Sequence, residues 1–248
     1  MALLVALLLL ALAWIAGVLL ATDLSVPALD ARRHRDVLAV FPHADDEVVA
    51  CGGTLHRLAA GGARVTLLLL TAGERGNPAG TPDPGLRAVR AAEARAAAGV
   101  LRIAEVVQAD LGDGRLRERT AELAAFVERT IDRAGPDLLI TYDLSGLYGH
   151  PDHIACAEVV TELRRTRFPG CALWYAALPP AARRVARLTG EPRVEDRRSA
   201  PTGRLFTGPG VVARIRAWHV YQSQRRSLGW VFPVWFSLGL FEHFEVVP

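Results

Sequence analysis

The hydrophobic pattern of this chain starts with an unbroken apolar run and then alternates between strand-like and helix-like segments. Short continuous apolar runs indicate buried strands, and apolar side chains that recur every three or four residues indicate helices. The predicted strands cover residues 37–41, 65–70, 103–107, 137–142 and 172–177. Predicted helices separate them at residues 48–60, 86–98, 120–134 and 153–165. This alternation predicts an α/β fold, a Rossmann-like doubly wound sheet that is mostly parallel.

The C-terminal third of the chain departs from this rhythm. Residues 179–210 are rich in Pro, Gly and Arg, and we expect a solvated insertion there, with a specificity loop as the alternative and a short helix near 181–187. A helix is predicted at residues 211–224. The aromatic run at residues 228–241 is too short and Pro-broken to span a membrane, so we expect core or an edge strand. The alternative is that its aromatic residues dip into a membrane interface, namely Trp230, Phe232, Trp235 and Phe236.

The apolar run at residues 2–21 carries no charge and is interpreted as one N-terminal transmembrane helix. At about 1.5 Å per residue it is about 30 Å long, the thickness of a bilayer's hydrocarbon core. A cleaved signal peptide is the alternative, but no basic residue precedes the run and no small-x-small site ends it. Arg32, Arg33 and Arg35 follow closely, which predicts a single-pass membrane protein with a cytoplasmic catalytic domain. The predicted division is an anchor at 1–22, a linker at 23–36 and a catalytic domain at 37–248.

Composition narrows the choice of partners. The chain has 248 residues, of which 51% are hydrophobic, enough for one sizeable core. All of its basic residues are Arg, and they are scattered among acidic residues with a net charge of +3. Nucleic-acid binding would concentrate positive charge on one face, so we expect no nucleic-acid partner. Cys51, Cys156 and Cys171 have no metal-ligand spacing and suggest no disulfide framework.

Two clusters of histidine and carboxylate side chains follow the first and fourth predicted strands. In the common 3-2-1-4-5 strand order these strands are neighbours, and ligands bind in the crevice beyond their carboxyl ends. A catalytic zinc takes three protein ligands and keeps one position for water. A histidine from each cluster and one carboxylate of the Asp45-Asp46 pair supply that set. Taken separately, the alternatives are a buried hydrogen-bonded histidine and a helix-capping aspartate. The clusters are His43-Ala44-Asp45-Asp46-Glu47 and Tyr148-Gly149-His150-Pro151-Asp152-His153.

These clusters closely resemble the paired signatures of the PIG-L/LmbE-like zinc de-N-acetylases, which remove acetyl from N-acetylglucosamine (GlcNAc) conjugates. Ala44 stands where that family usually has Pro. The resemblance implies that His43, Asp46 and His153 bind zinc, although Fe²⁺ suits such a site as well. Asp45 would then be the general base. Other segments are similar to family elements too: the loop at 71–76, Arg90 with Glu93, Tyr221-x-Ser223-Gln224 and Glu242-x-Phe244.

The resemblance also implies roles around the predicted metal. His150 would stabilise the tetrahedral oxyanion as an imidazolium held by Asp152, and Tyr148 would lie at the mouth of the pocket. Arg90 and Asp113 are candidates for contacts with sugar or phosphate. For these two the alternatives are a surface ion pair one helical turn apart and an ordinary Asp-Gly turn.

The expected function is a membrane-anchored zinc deacetylase acting on a GlcNAc-containing conjugate. The anchor suggests a lipid-linked substrate, and a soluble small-molecule glycoside is the alternative. A zinc amidase on a non-sugar N-acyl amine and a non-catalytic tethered binding module are the competing functions. No GxGxxG turn follows the first strand and no GxSxG elbow is present, which disfavours a dinucleotide-binding module and a serine hydrolase. The oligomeric state stays open.

Overall fold

The computed structural model describes residues 1–178, 197–228 and 231–247, and these residues build one mixed sheet with helices on both faces. The seven strands lie in the order β3-β2-β1-β4-β5-β7-β6. They are β1 Asp36–Phe41, β2 Arg64–Leu69, β3 Glu105–Gln108, β4 Leu138–Tyr142, β5 Ala172–Ala177, β6 Gly203–Phe206 and β7 Phe241–Val247. The described helices are α1 Ala2–Ala21, α2 Asp46–Ala60, α3 Pro84–Leu101, α4 Thr120–Ala134, α5 Gly146–Gly149, α6 Pro151–Thr166, α7 Gly210–Val220, α8 Gln222–Leu228 and α9 Val231–Leu238, with short 3₁₀ turns at Ala31–Arg33 and Leu116–Arg119.

The parallel part of the sheet has the predicted strand order, with β1 between β2 and β4 and with β5 beside β4. Alternate side chains of β1 enter two separate cores, as a sheet covered on both faces requires. Val37, Ala39 and Phe41 pack with α2, α3 and α7 on one face. Leu38 and Val40 pack with α4 and α6 on the other.

The C-terminal prediction was wrong in two places. Gly203–Phe206, within the stretch expected to be an irregular insertion, forms strand β6 and pairs antiparallel with β7. The aromatic run expected as core or edge strand does place Phe236 in the core, but it does so through helix α9 and not through a strand. Pro233 lies in the first turn of α9, where a helix tolerates proline, and Phe236 is fully buried against Trp218. Tertiary packing therefore overrides the strand preference of aromatic residues. The predicted short helix at 181–187 and Trp230 lie outside the described residues.

Helix α1 is long and apolar enough to cross a membrane, as a signal sequence also would be, and none of its most apolar window is buried. It is not detached from the rest of the chain. The Trp14 side chain donates a hydrogen bond from Nε1 to the Ser237 carbonyl of α9 at 3.2 Å. The linker that follows pairs with β6, where Leu29 N donates to Arg204 O at 2.8 Å and Arg204 N donates to Pro27 O at 2.9 Å.

His243 couples the linker to β7 and makes this contact sensitive to pH. The Asp23 backbone amide donates to His243 Nε2 at 2.9 Å, so this nitrogen must be unprotonated. Burial lowers the pKa of His243 to about 4, from an ordinary value of 6.5. The unfolded chain therefore binds the proton first as pH falls, and the stabilisation is complete above pH 6.5 and is lost towards pH 4.

This pH dependence can be tested by comparing wild type with His243→Gln. The free energy of unfolding of each full-length protein in mild detergent is measured by urea titration between pH 7 and pH 4. His243→Gln keeps an acceptor for the amide but cannot titrate. The free energy of unfolding of wild type should fall by up to about 3 kcal/mol more than that of this variant across the interval. The limit follows from the difference between the ordinary pKa of 6.5 and the pKa of about 4 in the folded protein. Parallel pH curves for the two proteins would show that His243 does not control this contact.

Candidate metal centre and active-site cleft

Both predicted clusters lie at the carboxyl ends of the neighbouring parallel strands β1 and β4. The first continues from β1 into the start of α2, and the second runs from α5 into the start of α6. Together they line one cleft of about 310 Å³, which is large enough for a sugar-sized ligand. The residues that line the cleft are His43, Asp45, Asp46, Arg75, Gly76, Asn77, Pro78, Arg90, Asp113, Tyr148, His150 and Gln224.

Two of the side chains implied as metal ligands, His43 and His153, converge on the carboxylate of the third, Asp46. His43 Nδ1 lies 3.2 Å from Asp46 Oδ2, and His153 Nε2 lies 3.3 Å from Asp46 Oδ1. In a tetrahedral zinc site with bonds of about 2.0–2.1 Å, neighbouring donor atoms are about 3.3 Å apart. The two distances end on different oxygens of Asp46. Nitrogens of His43 and His153 also lie within 4.8 Å of each other, together with a nitrogen of His150, so these side chains are close enough to share a divalent cation.

His153 provides an independent sign that a cation belongs here. Its Nε2 is buried and has no hydrogen-bond partner, whereas its Nδ1 lies 3.1 Å from the carbonyl oxygen of Gly146. A carbonyl only accepts, so Nδ1 carries a proton, and in a neutral ring Nε2 then presents a lone pair towards Asp46 Oδ1 at 3.3 Å. A buried lone pair beside a carboxylate is unfavourable unless a cation lies between them.

Tyr142 orients two of these side chains, and the sequence analysis did not single it out. Its hydroxyl donates to Asp46 Oδ1 at 2.9 Å, while the backbone amide of His43 donates to Asp46 Oδ2 at 2.8 Å. The Tyr142 ring also stacks on the His153 ring, with centroids 4.3 Å apart and planes 10° from parallel. The available signal was a tyrosine as the last residue of a fully buried strand that ends at the cleft.

The other edge of the His43 ring faces two more carboxylates. His43 Nε2 lies 3.1 Å from Asp113 Oδ1 and 3.2 Å from Asp152 Oδ2. Burial opposes a charged imidazole, but the hydrogen bonds with Asp113, Asp152 and Asp46 raise the pKa of His43 well above its ordinary value. His43 thus links the predicted metal ligands to the carboxylates on the far side of its ring.

The contacts of Asp152 differ from the prediction that its carboxylate holds His150 as an imidazolium. Its carboxylate accepts hydrogen bonds from the backbone amides of Gly114 and Leu116 at 2.7 and 3.1 Å, and it faces His43. Its link to His150 is through the backbone, since Asp152 N donates to His150 Nδ1 at 3.2 Å. Burial, together with the nearby His43 and His153, lowers the pKa of His150 to about 4. The His150 ring is therefore neutral in this geometry.

Adjacent aspartates at the start of α2 have opposite electrostatic environments. Asp45, the N-cap, is buried with a left-handed backbone at φ 111°, a strained conformation for a residue other than glycine. Burial raises the pKa of Asp45 to about 7 even though Arg90 lies 3.6 Å away. Burial also opposes ionisation of Asp46, yet His153 and His43 hold its pKa well below the ordinary value. Two carboxyl groups with pKa values pushed apart are typical of a division into proton carrier and anionic ligand.

Arg90 is a buried cleft residue, so the alternative of a surface ion pair with Glu93 was wrong. Its side chain is 3% exposed, donates to the Ala44 carbonyl and points towards Asp45. It crosses the loop at Gly73 and Gly76, where a Cβ atom would overlap the guanidinium group. This overlap explains both glycines of the loop at 71–76.

Asp113 is likewise more than a turn residue. Its Oδ2 accepts from the Arg75 backbone amide at 3.0 Å, and its backbone amide donates to Glu74 Oε1 at 3.1 Å. Burial opposes ionisation, but the hydrogen bonds with His43 and Arg75 lower the pKa of Asp113. An ionised carboxylate therefore lies on the cleft wall beside His43.

A family model described as GlcNAc-PI de-N-acetylase, PIG-L, matches residues 38–164, the part of the chain that carries both clusters. The chain belongs to the PIG-L family. The resemblance inferred from the two clusters is thereby confirmed. The match runs from β1 to α6 and covers about half of the chain.

Individual PIG-L-like relatives agree with this assignment. The 1D-myo-inositol 2-acetamido-2-deoxy-alpha-D-glucopyranoside deacetylase of Nakamurella multipartita is 35% identical over 207 residues, which cover 71% of this chain and 66% of that protein. A protein of the same name from Rhodococcus erythropolis is 36% identical over 154 residues, 50% of this chain and 51% of that protein. The chain thus spans about half to two thirds of the length of these curated relatives.

Among solved structures, N,N'-diacetylchitobiose deacetylase from Pyrococcus horikoshii superposes with a TM-score of 0.62 at 21% identity, covering 93% of this chain and 89% of that one. The similarity at this identity shows the fold and confirms the α/β prediction. Because one fold hosts unrelated chemistries, the reaction of this PIG-L chain must be argued from its site.

The C-terminal motif Tyr221-x-Ser223 of this PIG-L chain makes hydrogen bonds to the two helices that carry Asp45 and Arg90. Tyr221 donates its hydroxyl proton to Glu47 Oε1 at 2.6 Å, and Glu47 Oε2 accepts from the Asp45 amide at 3.1 Å. Ser223 donates from its amide and its hydroxyl to Glu93 at 2.9 and 2.6 Å. The Tyr221-x-Ser223 motif therefore fixes the first turn of α2 and the helix that carries Arg90.

Glu242 and Arg214 stabilise a break in α2 that the sequence did not reveal. The helix is interrupted at Cys51, where φ is −156° and ψ is 28°. Arg214 Nε donates to the carbonyl of Val48 at 2.7 Å, before the break. Glu242 accepts from the amide of Thr54 at 2.7 Å, after the break, and pairs with Arg214 at 2.8 Å. This buried ion pair satisfies the backbone groups that the break leaves without helical partners.

Tyr148 lies at the mouth of the cleft with 63% of its surface exposed. Its ring meets the His153 ring edge to face, with centroids 5.0 Å apart. The loop beneath it is held by Asp143, which accepts from the backbone amides of Leu147 and Ser199 at 3.1 and 2.9 Å. Leu147 itself has a left-handed backbone at φ 65°.

Proposed function

We propose that this chain hydrolyses the N-acetyl group of a GlcNAc-containing conjugate and releases acetate and a free amine. The observation that carries the proposal is the convergence of His43, Asp46 and the unpartnered His153 Nε2 in the same cleft as Asp45. Membership of the PIG-L family and relatives named as deacetylases of GlcNAc-containing molecules support the same reaction.

His43, Asp46 and His153 would hold the divalent ion, which is zinc in this proposal, with Fe²⁺ as the alternative. When bound, such an ion supplies Lewis acidity to the amide carbonyl and lowers the pKa of water from about 15.7 towards 7. Tyr142 and the Gly146 carbonyl keep Asp46 and His153 directed inward.

Asp45 acts as the proton carrier. It accepts a proton from the attacking water as the oxygen adds to the amide carbon, and it returns that proton to the nitrogen as the carbon–nitrogen bond breaks. A pKa near 7 suits a group that must first accept and then donate. Arg90 keeps the carboxylate within the cleft after the proton has left.

His150 stabilises the oxyanion as a neutral donor. Because its Nδ1 accepts from the Asp152 amide, the ring proton is on Nε2. That N–H is free to donate to the negative oxygen of the tetrahedral intermediate, with Tyr148 as a second donor at the cleft mouth. Arg90 and Asp113 also line the cleft and are the candidates for contacts with the sugar hydroxyls.

Helix α1 serves as the membrane anchor in this proposal, with residues 1–22 as the anchor, 23–36 as the linker and 37–248 as a cytoplasmic catalytic domain. The apolar character of α1 and the exposure of most of its side chains support anchoring. A tethered active site favours a lipid-linked glycoconjugate over a soluble one.

The test measures acetate released from GlcNAc-phosphatidylinositol, GlcNAc-inositol, a polyprenyl-linked GlcNAc and an N-acetylated non-sugar amine. We expect release from the sugar substrates, fastest from the lipid-linked ones, with loss of activity after chelation and recovery with Zn²⁺. Equal rates on GlcNAc-inositol would remove the lipid requirement. Preference for the non-sugar amine would replace the proposal by an amidase. No release from metal-loaded protein would leave a binding module.

A further inference from the structure

We infer that α9 is a second membrane contact, whose exposed face enters the bilayer interface beside α1. The inference rests on the proposed role of α1 as a membrane anchor. It adds a lipid surface as a partner for a helix outside the residues matched by the PIG-L model.

The two helices are in direct contact. Trp14 Nε1 of α1 donates to the carbonyl of Ser237 at 3.2 Å. One turn further along, Gly17 faces Leu238 so closely that a Cβ atom on it would lie 2.8 Å from Leu238 Cδ2. The C-terminal end of α9 is therefore held against a defined part of α1.

The position of this contact along α1 sets the depth of α9. Gly17 and Trp14 precede Ala21, the last residue of α1, by four and seven residues, which is about 6 and 10 Å along the helix. The 20 residues of α1 make about 30 Å, the full hydrocarbon thickness. If α1 spans the bilayer, the contact with α9 lies about 5–10 Å inside the boundary, the depth at which interfacial helices bury their apolar face.

The side chains of α9 are of the kind found at that depth in a bilayer. Residues 227–241 contain no charged residue. Phe236 is fully buried and packed against Trp218, and its ring centroid lies 4.0 Å from the Arg214 guanidinium carbon. Val234 and Trp235 point outward with 66% and 36% of their surface exposed. One side of α9 thus joins the protein core, while the other offers an aliphatic side chain and a tryptophan, the residue enriched at membrane interfaces.

The contact would place the active site at the membrane surface. Ala21 at the end of α1, Trp235 of α9 and Leu147 border one small cleft at the carboxyl edge of the sheet. Leu147 is the neighbour of Tyr148 at the mouth of the catalytic cleft. A bilayer that covers α9 therefore lies beside the loop that receives substrate.

The experiment uses the full chain in vesicles of phosphatidylcholine and phosphatidylglycerol, with an environment-sensitive fluorophore on single introduced cysteines. The native cysteines at 51, 156 and 171 are all buried, so labelling of the folded protein is selective. Val234→Cys reports on α9 and Leu10→Cys reports on the middle of α1. Ala60→Cys is the matched control, since it is exposed at the far end of α2, about 20 Å from the cleft edge.

Quenching by spin-labelled lipids gives the result. We expect shallow lipid labels to quench position 234 at least about two-fold more than position 60, and deep labels to quench position 10 most. Quenching at 10 with position 234 behaving like position 60 would overturn the α9 contact and keep the anchor. No quenching at either would overturn both. Quenching at 234 alone would support the contact and overturn the span.

Discussion

Asp45→Asn is expected to keep the bound metal and to lose about 10²–10⁴-fold in kcat, the usual contribution of a general base. The amide has the shape of the carboxylate but cannot accept the proton of the attacking water. Asparagine also tolerates the left-handed backbone at this position, where φ is 111°. The loss should therefore come from chemistry and leave folding intact. Steady-state acetate release, with metal content measured on the same preparation, gives the answer.

Asp132→Asn is the matched control for this variant. Asp132 is an exposed aspartate of α4, remote from the cleft, and its replacement should leave kcat and metal content unchanged. Normal turnover by metal-loaded Asp45→Asn would contradict the role of Asp45 as proton carrier. Asp113, the other carboxylate on the cleft wall, would then be the next residue to replace.

The parallel sheet and the meeting of the two clusters were predictable because both depend on local signals. A continuous apolar strand followed by a polar cluster places His43 and His150 at the same sheet edge once the strand order is known. The Gly-rich loop before α3 was equally visible. The reason for its glycines could not be predicted. A Cβ atom at Gly73 would overlap the Arg90 guanidinium group only because of the way this loop and α3 pack in three dimensions.

The features that could not be predicted from the sequence depend on contacts between residues far apart in the chain. Glu242 caps the break in α2 through the Thr54 amide, 188 residues earlier. The β6–β7 pair extends the sheet antiparallel from a stretch whose composition is typical of a loop. The predicted partner of Asp152 was His150, two residues earlier, but in the structure its carboxylate contacts two distant backbone amides and His43 instead.

His153→Ala and Asp46→Asn are expected to lose the metal and, with it, essentially all activity. Both variants remove one of only three protein donors in the proposed site, and three is the smallest set typical of catalytic zinc. The metal affinity of Tyr142→Phe should lie between that of these variants and that of wild type. It keeps the ring that stacks on His153 but removes the hydrogen bond to Asp46, which for a supporting residue costs about 10–100-fold in metal affinity. Competition with a chromogenic chelator measures the affinity of each variant.

His56→Ala controls for the general effect of removing a histidine, because His56 lies on α2 away from the cleft and should keep wild-type metal affinity. Full metal occupancy in His153→Ala would contradict the ligand set. The described residues hold one other group that includes His43 and lacks His153, formed with Asp113 and Asp152, whose donor atoms lie within 4.8 Å of one another. Asp113→Asn separates the two sites. It should weaken metal binding by no more than about 10–100-fold, the cost of losing a supporting partner of His43, if His153 and Asp46 are ligands. It should abolish binding if the ion lies on the opposite side of the His43 ring.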